Sequence, residues 1–398
     1  MRKHLTTLLA LCLSLTATLF VVQGTATPGD LDEDLIISKY ELALAEQSYQ
    51  EKTITSEEID EIRHIHDNYP RQVTDYLGRD VTIYKPIKRI VCTAGQHLET
   101  LRSLQVSRDM IVGVPEGVID ESYFSEFSDY PSIGSFYEPD VEAILELEPD
   151  VIIAHPGPAP GGNSLDEVLQ TMEDSGITLL CFKCNLPERY PQEIRTLGVL
   201  LEKEDEAETF LEFYDGVLNT VEKNTASLSE DEMPQVYSEY LPYRTSSLLD
   251  MEQIAMAGGR SIFPGDRAVK EVDPEVVISA DPDIILILSW GGDYDKMGLQ
   301  DTARLDEVRE ELKARPELQN LKALQEDQVY VIASPLWTYL PGSSCRHFIG
   351  VAYLAKLFHP HIFQDLDPQA LHQHYLSEFQ GLDYDLSEKG VFIYPPLK

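Results

Sequence analysis

Basic residues are scarce in this chain: 31 lysines and arginines stand against 69 aspartates and glutamates over 398 residues, a formal charge of −38. So acidic a surface repels phosphate backbones and anionic headgroups, which excludes nucleic acid and negatively charged membranes as partners. Tryptophan is scarcer still, with two in the whole chain, and cysteine occurs five times. Cys181 and Cys184 form a lone C-x-x-C. Zinc would need a second ligand pair at matching spacing, and the sequence supplies none, so no metal site and no resident cofactor is assigned. Also absent are a nucleophile elbow, a phosphate loop and a H-E-x-x-H pair. Loop histidines alone define no mechanism, which leaves an enzyme as the weaker class of function and a secreted surface scaffold as a third.

Long apolar runs are confined to the first residues. Arg2, Lys3 and His4 precede an apolar stretch from Leu5 to Val22, and the small residues Gly24, Thr25 and Ala26 follow. This is the three-part pattern of a secretory signal peptide over residues 1–26, cleaved near Ala26. Several threonines interrupt the stretch and no second span follows, against a retained anchor. Leu11, ahead of Cys12, is too bulky for a lipid-attachment signal. Loss of Arg2 and Lys3 with the leader leaves a formal charge of −40. The sequence therefore places the mature chain in the periplasm or another extracytoplasmic space, with Cys92, Cys181, Cys184 and Cys345 retained.

What the chain does contain is one short unit written twice. Residues 138–152 and 271–285, offset by 133 positions, share Glu, Asp, Glu, Pro, Asp and Ile at six of fifteen places, with aliphatic matched to aliphatic between. Each copy has an N-cap aspartate, Asp140 or Asp273, then a short apolar helix, a Pro-Asp stop and a buried parallel strand. Two similar α/β lobes follow from this duplication, and two lobes imply a cleft.

The rest of the chain fits around the two copies. Residues 27–70 are acidic and helical, with Thr55 and Glu58 spaced as a capping box ahead of Ile59, Ile62 and Ile65. Alternation from Val73 to Ile83 predicts a hairpin turning near Gly78. Arg89 to Cys92 is a strand feeding the small-residue loop Thr93-Ala94-Gly95-Gln96-His97 and a helix, which opens the first lobe, residues 71–190. Residues 191–230 read as a long linking helix, with Ala207, Phe210, Leu211, Tyr214, Val217, Leu218 and Val221 at three- and four-residue steps. The second lobe spans 231–340, and a helix with a Tyr- and His-containing tail occupies 341–398.

Together, the hairpin Val73–Ile83, the segment Lys88-Arg89-Ile90-Val91, both copies of the helix-Pro-Asp-strand unit, Ala257-Gly258-Gly259 and Gln328-Val329-Tyr330 resemble one family. It is that of the class III solute-binding proteins of ABC importers, which carry iron-siderophores, haem or cobalamin. The resemblance covers about residues 71–360. It implies two Rossmann-like lobes with parallel sheets, joined by a single long α-helix, with the ligand cleft between them. It also implies a membrane permease and its ATPase as partners, a small-molecule metal chelate as cargo, and a monomer. Of chelates, an anionic ferric siderophore comes first, then cobalamin, then haem. Matching the family's docking position, Glu142 and Glu275 are the expected contacts to the permease, although an acid in a helix's first turn is also favoured by the dipole alone.

Ligands of open α/β sheets bind beyond the carboxyl ends of the strands. That rule selects Thr93, Gln96 and His97 after the first strand, Tyr137 ahead of the first repeat helix, and His155 after its strand. In the second lobe it selects Tyr240, Tyr243 and Arg244, then Trp290, then Trp337 and Tyr339. Arg346 stands where a helix begins, an unfavourable place for a cation unless an anion faces it. That anion is either an internal carboxylate or the ligand; in the second case Arg244 and Arg346 grip its oxygens and the aromatics stack on its organic part. Direct iron coordination by His97, His155 and tyrosines lacks a spacing signature.

Overall fold

The computed structural model describes residues 27–119, 122–135, 138–156, 177–239, 241–245, 248–263, 270–289, 302–333, 345–387 and 392–397. The signal-peptide segment lies outside them. The acidic extension folds as helices Lys39–Gln50 and Ser56–Asn68. The expected capping box is present: Glu58 N–H donates to Thr55 Oγ1 at 3.2 Å, and Thr55 N–H donates to the Glu58 carboxylate at 2.7 Å. Ser38 and Glu41 make a second box that the sequence reading missed. Ile59, Ile62 and Ile65 lie at three-residue steps on one face and are all buried, so the extension is part of the body. Strands β1 (Arg71–Thr74) and β2 (Asp80–Ile83) form the expected antiparallel hairpin, with Gly78 at φ +78° in its turn.

The first lobe is a four-stranded parallel sheet of β3 (Ile90–Cys92), β4 (Ile111–Gly113), β5 (Val151–Ala154) and β6 (Thr178–Cys181), in spatial order β4-β3-β5-β6. The second lobe contains β7 (Gln235–Glu239), a two-stranded ribbon of β8 (Arg244–Thr245) and β10 (Lys270–Glu271), then β9 (Arg260–Ser261), β11 (Ile284–Ser289), β12 (Val329–Ala333) and β13 (Ile393–Tyr394). Its main sheet runs β13-β12-β11-β7-β9, parallel except for the edge strand β13 from the tail. Leaving β13 aside, the two lobes share one winding order, second-first-third-fourth.

Period-2 geometry sends alternate side chains of each strand to opposite faces. In the first sheet Ile90, Cys92, Val151 and Ile153 join the large central core, whereas Val91, Ile152 and Ala154 join an outer core closed by Ile144. In the second, Leu286, Leu288 and Ile332 face the centre, whereas Ile285, Ile287, Val329 and Val331 face an outer core closed by Val277. Ile144 and Val277 occupy equivalent places in the two repeats and do the same job.

The repeats therefore fold alike. Asp140 caps Val141–Glu146 by accepting from Ala143 N–H, and Asp273 caps Pro274–Ala280 by accepting from Glu275 N–H. Each helix is followed by a residue in the left-handed region, Glu148 at φ +43° and Asp281 at φ +45°. The Pro-Asp pair does more than stop the helix. Asp150 Oδ2 accepts from the N–H groups of Lys88 and Arg89 at 2.8 and 2.9 Å, and Asp283 Oδ2 accepts from Gln235 N–H at 2.7 Å. Each aspartate thus ties the third strand of its lobe to the start of the first strand.

The linking segment departs from one uninterrupted helix. It comprises Tyr190–Leu201 and a 22-residue helix, Glu204–Thr225, broken at Glu202, which has φ +56°. Glu202 ends the first helix as a left-handed cap, with Lys203 N–H donating to Gly198 O at 2.8 Å, and its carboxylate is held by His64 Nε2 at 2.8 Å and by the Tyr69 hydroxyl, both from the N-terminal extension. Phe210, Tyr214, Val217 and Val221 of the longer helix are buried in the central core with Phe348, Ile349 and Ala352 of the C-terminal helix His347–Phe358. Cys92, Cys181, Cys184 and Cys345 are buried thiols, none in a disulfide.

Because charged acceptors of backbone N–H groups are worth about 1.5–3 kcal/mol each, Asp150→Ala and Asp283→Ala should each lower unfolding free energy by roughly that amount while secondary structure is kept. Urea denaturation followed by circular dichroism measures this; a change below about 0.5 kcal/mol at both positions would show that the two ties are incidental.

Candidate functional site

Where the winding order of a parallel sheet reverses, two adjacent strands send their exit loops apart and leave a crevice. Here that point falls between β3 and β5 in the first lobe and between β7 and β11 in the second.

At the first crevice Thr93 is buried and joins the two loops: its N–H donates to Ile153 O at 3.0 Å, and its Oγ1 accepts from His155 N–H at 3.0 Å. Gln96 follows, half-buried, with the Cys345 thiol against its carbonyl at 4.0 Å. His97 is only 1% exposed, and its Nε2 lies 2.8 Å from Phe182 O. A carbonyl accepts, so Nε2 carries the proton and the imidazole is fixed as the neutral tautomer. Burial pushes its pKa down to about 4. His97 thus braces the floor beneath the loops. His155 is nearer the surface, its ring 6.3 Å from that of His97. Burial, then His97 and Lys183, push its pKa down to about 3.

Lys183 is a residue that sequence reasoning missed. It follows β6, its Nζ lies 5.0 Å above the Tyr76 ring, and Arg189 lies 6.0 Å from the same ring. The loop is held by Glu193, whose carboxylate accepts from Lys183 N–H at 3.0 Å and Cys184 N–H at 2.7 Å. A basic cluster therefore stands beyond the end of β6, with Lys183 near enough to His155 of the β5 exit loop to act on its charge. No motif marks it, because hairpin and loop are about a hundred residues apart and meet only in the fold.

At the second crevice β7 ends in Glu239, only 2% exposed. Arg315 grips it in bidentate fashion at 3.0 and 2.6 Å, and the Tyr237 hydroxyl donates to it at 2.8 Å. Tyr243 packs under this pair, its ring 4.8 Å from the Arg315 guanidinium, its N–H on Glu239 at 3.2 Å and its hydroxyl on Glu317. Burial and then Glu317 push that phenol up to about 12. Arg244 is exposed on β8, opposite Glu271 of β10. Tyr137, Tyr240, Trp290, Trp337 and Tyr339 lie outside the described residues.

Arg346 takes the internal carboxylate, one of the two partners that the sequence left open. It is 7% exposed, its Nε lies 2.8 Å from Glu99 Oε1, and its guanidinium stacks 4.3 Å from the Tyr123 ring. The same Glu99 oxygen accepts from Tyr123 Oη at 2.8 Å and Tyr375 Oη at 2.7 Å. The cluster joins the first lobe to the C-terminal segment. Its sequence separations, up to 276 residues for Tyr375, left no local signal. Glu142 and Glu275 are both exposed in first helical turns, and neither is in an ion pair among the described residues.

Two α/β lobes with one winding order, crevices at both reversal points and a linking helix define a two-lobed binding protein. The chain belongs to the periplasmic binding protein family, whose pattern it matches over residues 90–336. Among relatives, it is 26% identical over 300 residues to the Fe(3+)-citrate-binding protein YfmC of Bacillus subtilis, covering 72% of this chain and 86% of YfmC. It is 24% identical over 269 residues to the petrobactin-binding protein YclQ of the same organism, covering 64% of this chain and 77% of YclQ. The TroA-like periplasmic binding protein FepB from Veillonella parvula shares the fold with a TM-score of 0.65 and 24% identity, covering 81% of this chain and 99% of that one. Haemophilus influenzae MolA, solved with molybdate, follows at TM-score 0.62 and 20% identity, covering 79% and 99%. No helix among the described residues is long and apolar enough to cross a membrane.

The buried histidine makes a pH prediction. The unfolded chain protonates His97 near pH 6.5, whereas the native protein refuses that proton until about pH 4. The unfolded state therefore binds more protons in this window, and the stability His97 contributes at neutral pH is lost as pH falls from 6.5 to 4, by about 3 kcal/mol. Urea titrations at pH 7, 5.5 and 4 should show a shallower decline for His97→Gln, whose amide can still donate to Phe182 O. Parallel declines in variant and parent would place the acid sensitivity elsewhere.

Proposed function

We propose that this chain is the exported solute-binding component of an ABC importer, and that it captures an anionic ferric chelate of the citrate or siderophore kind for a membrane permease. The observation that carries the reading is the duplicated crevice, one reversal point per lobe, in a chain whose curated relatives bind ferric citrate and petrobactin. Such chelates present oxyanions and an organic frame. The basic cluster of Lys183 and Arg189 beside Tyr76, together with Arg244, supplies charge-assisted donors. Thr93, Gln96 and His155 shape the mouth of the first crevice, and Tyr137, Tyr240, Trp290, Trp337 and Tyr339 are proposed as the apolar lining. Tyr243 and His97 hold the walls in place. Arg346, engaged on Glu99, is assigned to the frame.

The function is capture without catalysis: nothing in the bound cargo needs to react for it to be handed on. Glu142 and Glu275, one per lobe and neither in an ion pair among the described residues, are proposed as the residues by which the loaded protein meets basic groups of the permease. Corrinoid and haem cargo are the competing outcomes.

A ligand that binds only the native state raises stability by about 2.7 kcal/mol at a hundredfold excess over its dissociation constant. Differential scanning calorimetry with ferric citrate and with a ferric catecholate siderophore should therefore show a concentration-dependent rise in Tm, with none for cyanocobalamin or haemin. A rise with either of the latter alone would transfer the assignment to that cargo, and no rise with any of the four would overturn it.

A further inference from the structure

The two repeat helices agree at one apolar position that they leave uncovered as well as in what they bury; Val276, 46% exposed where the first copy has the half-buried Ala143, stands outside the match. Ile144 and Val277 are fully buried, and the residues immediately after them, Leu145 and Ile278, are 38% and 41% exposed. These two are equivalent under the 133-residue offset, as are Glu142 and Glu275. A single exposed leucine is ordinary and carries no message. The same exposure at both copies of a duplicated element is different, because each helix has its own outer core and neither needs that position apolar. Residues three apart share a helix face, so each apolar side chain stands about one turn beyond the glutamate on its helix. Exposed acids neighbour both in the chain, Glu146 and Glu148 at the first site and Glu271, Asp273 and Asp281 at the second. They outnumber the cations there: Arg89, which donates to Leu147 O and Glu148 O, and Arg244 and Lys322, which lie opposite Glu271 and on Asp281. Each patch is an apolar knob in an acidic rim.

We propose that Leu145 and Ile278 are paired apolar anchors of one bipartite docking surface. Its occupant is a membrane permease that presents an apolar socket with a basic rim twice, once to each lobe. The proposal rests on the docking reading of Glu142 and Glu275 and adds to it. Duplicated patches of one chemistry are filled equally well only by a partner whose own face is duplicated, and rims in which exposed carboxylates outnumber cations select a basic one. The division of labour follows from the physics of interfaces. Rim charges steer encounter and lose their effect with salt, whereas a desolvated central anchor sets the lifetime of the complex and is indifferent to salt.

The test uses full-length mature protein, fluorescently labelled and loaded with ferric citrate, added to right-side-out membrane vesicles from its own host. Association and dissociation rates are read at low and high salt. Leu145→Ser and Ile278→Ser should each speed dissociation about tenfold, the double variant more than either, with salt dependence unchanged. Ile362→Ser, at a similarly exposed but unduplicated apolar residue, should bind like the parent. Leu145→Met should restore the parent's rate, separating the anchor from any effect on folding. If Glu142→Arg with Glu275→Arg abolishes binding while the double serine variant binds normally, the anchors are refuted and the docking reading stands. If the charge reversals change nothing, or the parent does not bind, the docking reading falls and takes the anchors with it. If the serine variants instead reduce self-association in sedimentation, the occupant is a second copy of this chain and the proposal is overturned.

Discussion

One carboxylate oxygen holds three segments of this protein together. Oε1 of Glu99, on the first helix of the first lobe, accepts from Arg346 Nε at the start of the C-terminal helix, from the Tyr123 hydroxyl of its own lobe, and from the Tyr375 hydroxyl of the tail. Gln380 completes the set by donating to Glu99 O at 3.2 Å and to Ser103 Oγ at 2.8 Å. Taking both charges out of water costs several kcal/mol per ion, and only a well-bonded cluster offsets that. Burial, followed by the charge of Glu99, pushes the Tyr123 and Tyr375 phenols up, so both remain donors. Losing one member of such a pair costs about 3–5 kcal/mol, since the other charge is stranded.

The rest of the frame runs out from this cluster. Directly after Arg346, His347 Nε2 meets the Tyr214 hydroxyl of the linking helix at 2.6 Å, and Phe348 packs on Phe210 of the same helix. Beyond Tyr375 the tail returns to add β13 to the edge of the second sheet. The C-terminal segment is therefore bonded to both lobes and to the helix between them. Arg346, Tyr375 and Gln380 all lie past residue 336, where the match to the family's sequence pattern ends. Lobes tied in this way and linked by a helix are expected to move little when cargo binds.

Much of this was legible from local chemistry. The capping box at Thr55, the turn at Gly78, and the helix-Pro-Asp-strand unit all rest on contacts within a few residues, and each formed where the sequence placed it. The duplication gave the two lobes and the equivalent glutamates. It did not disclose that Asp150 and Asp283 reach across to the first strand of each sheet, because a Pro-Asp stop explains those residues adequately on local grounds. The linking helix was read through Glu202, since a left-handed cap on a glutamate carries no glycine signal and the groups that hold its carboxylate, His64 and Tyr69, come from a segment with no sequence link to it. At the site, strand-end logic identified the loops but not the state of their side chains. His97 and Arg346 were visible as polar residues near loops; only the fold shows that one faces Phe182 O and the other Glu99.

The central claim is that the two lobes are clasped into one preformed receptor that takes up its cargo without closing. Small-angle X-ray scattering of the mature protein, alone and saturated with ferric citrate, tests it most directly. The clasped frame predicts superimposable curves and an unchanged radius of gyration. A clear compaction on loading would contradict it, and would show that the Glu99 cluster does not restrain the lobes.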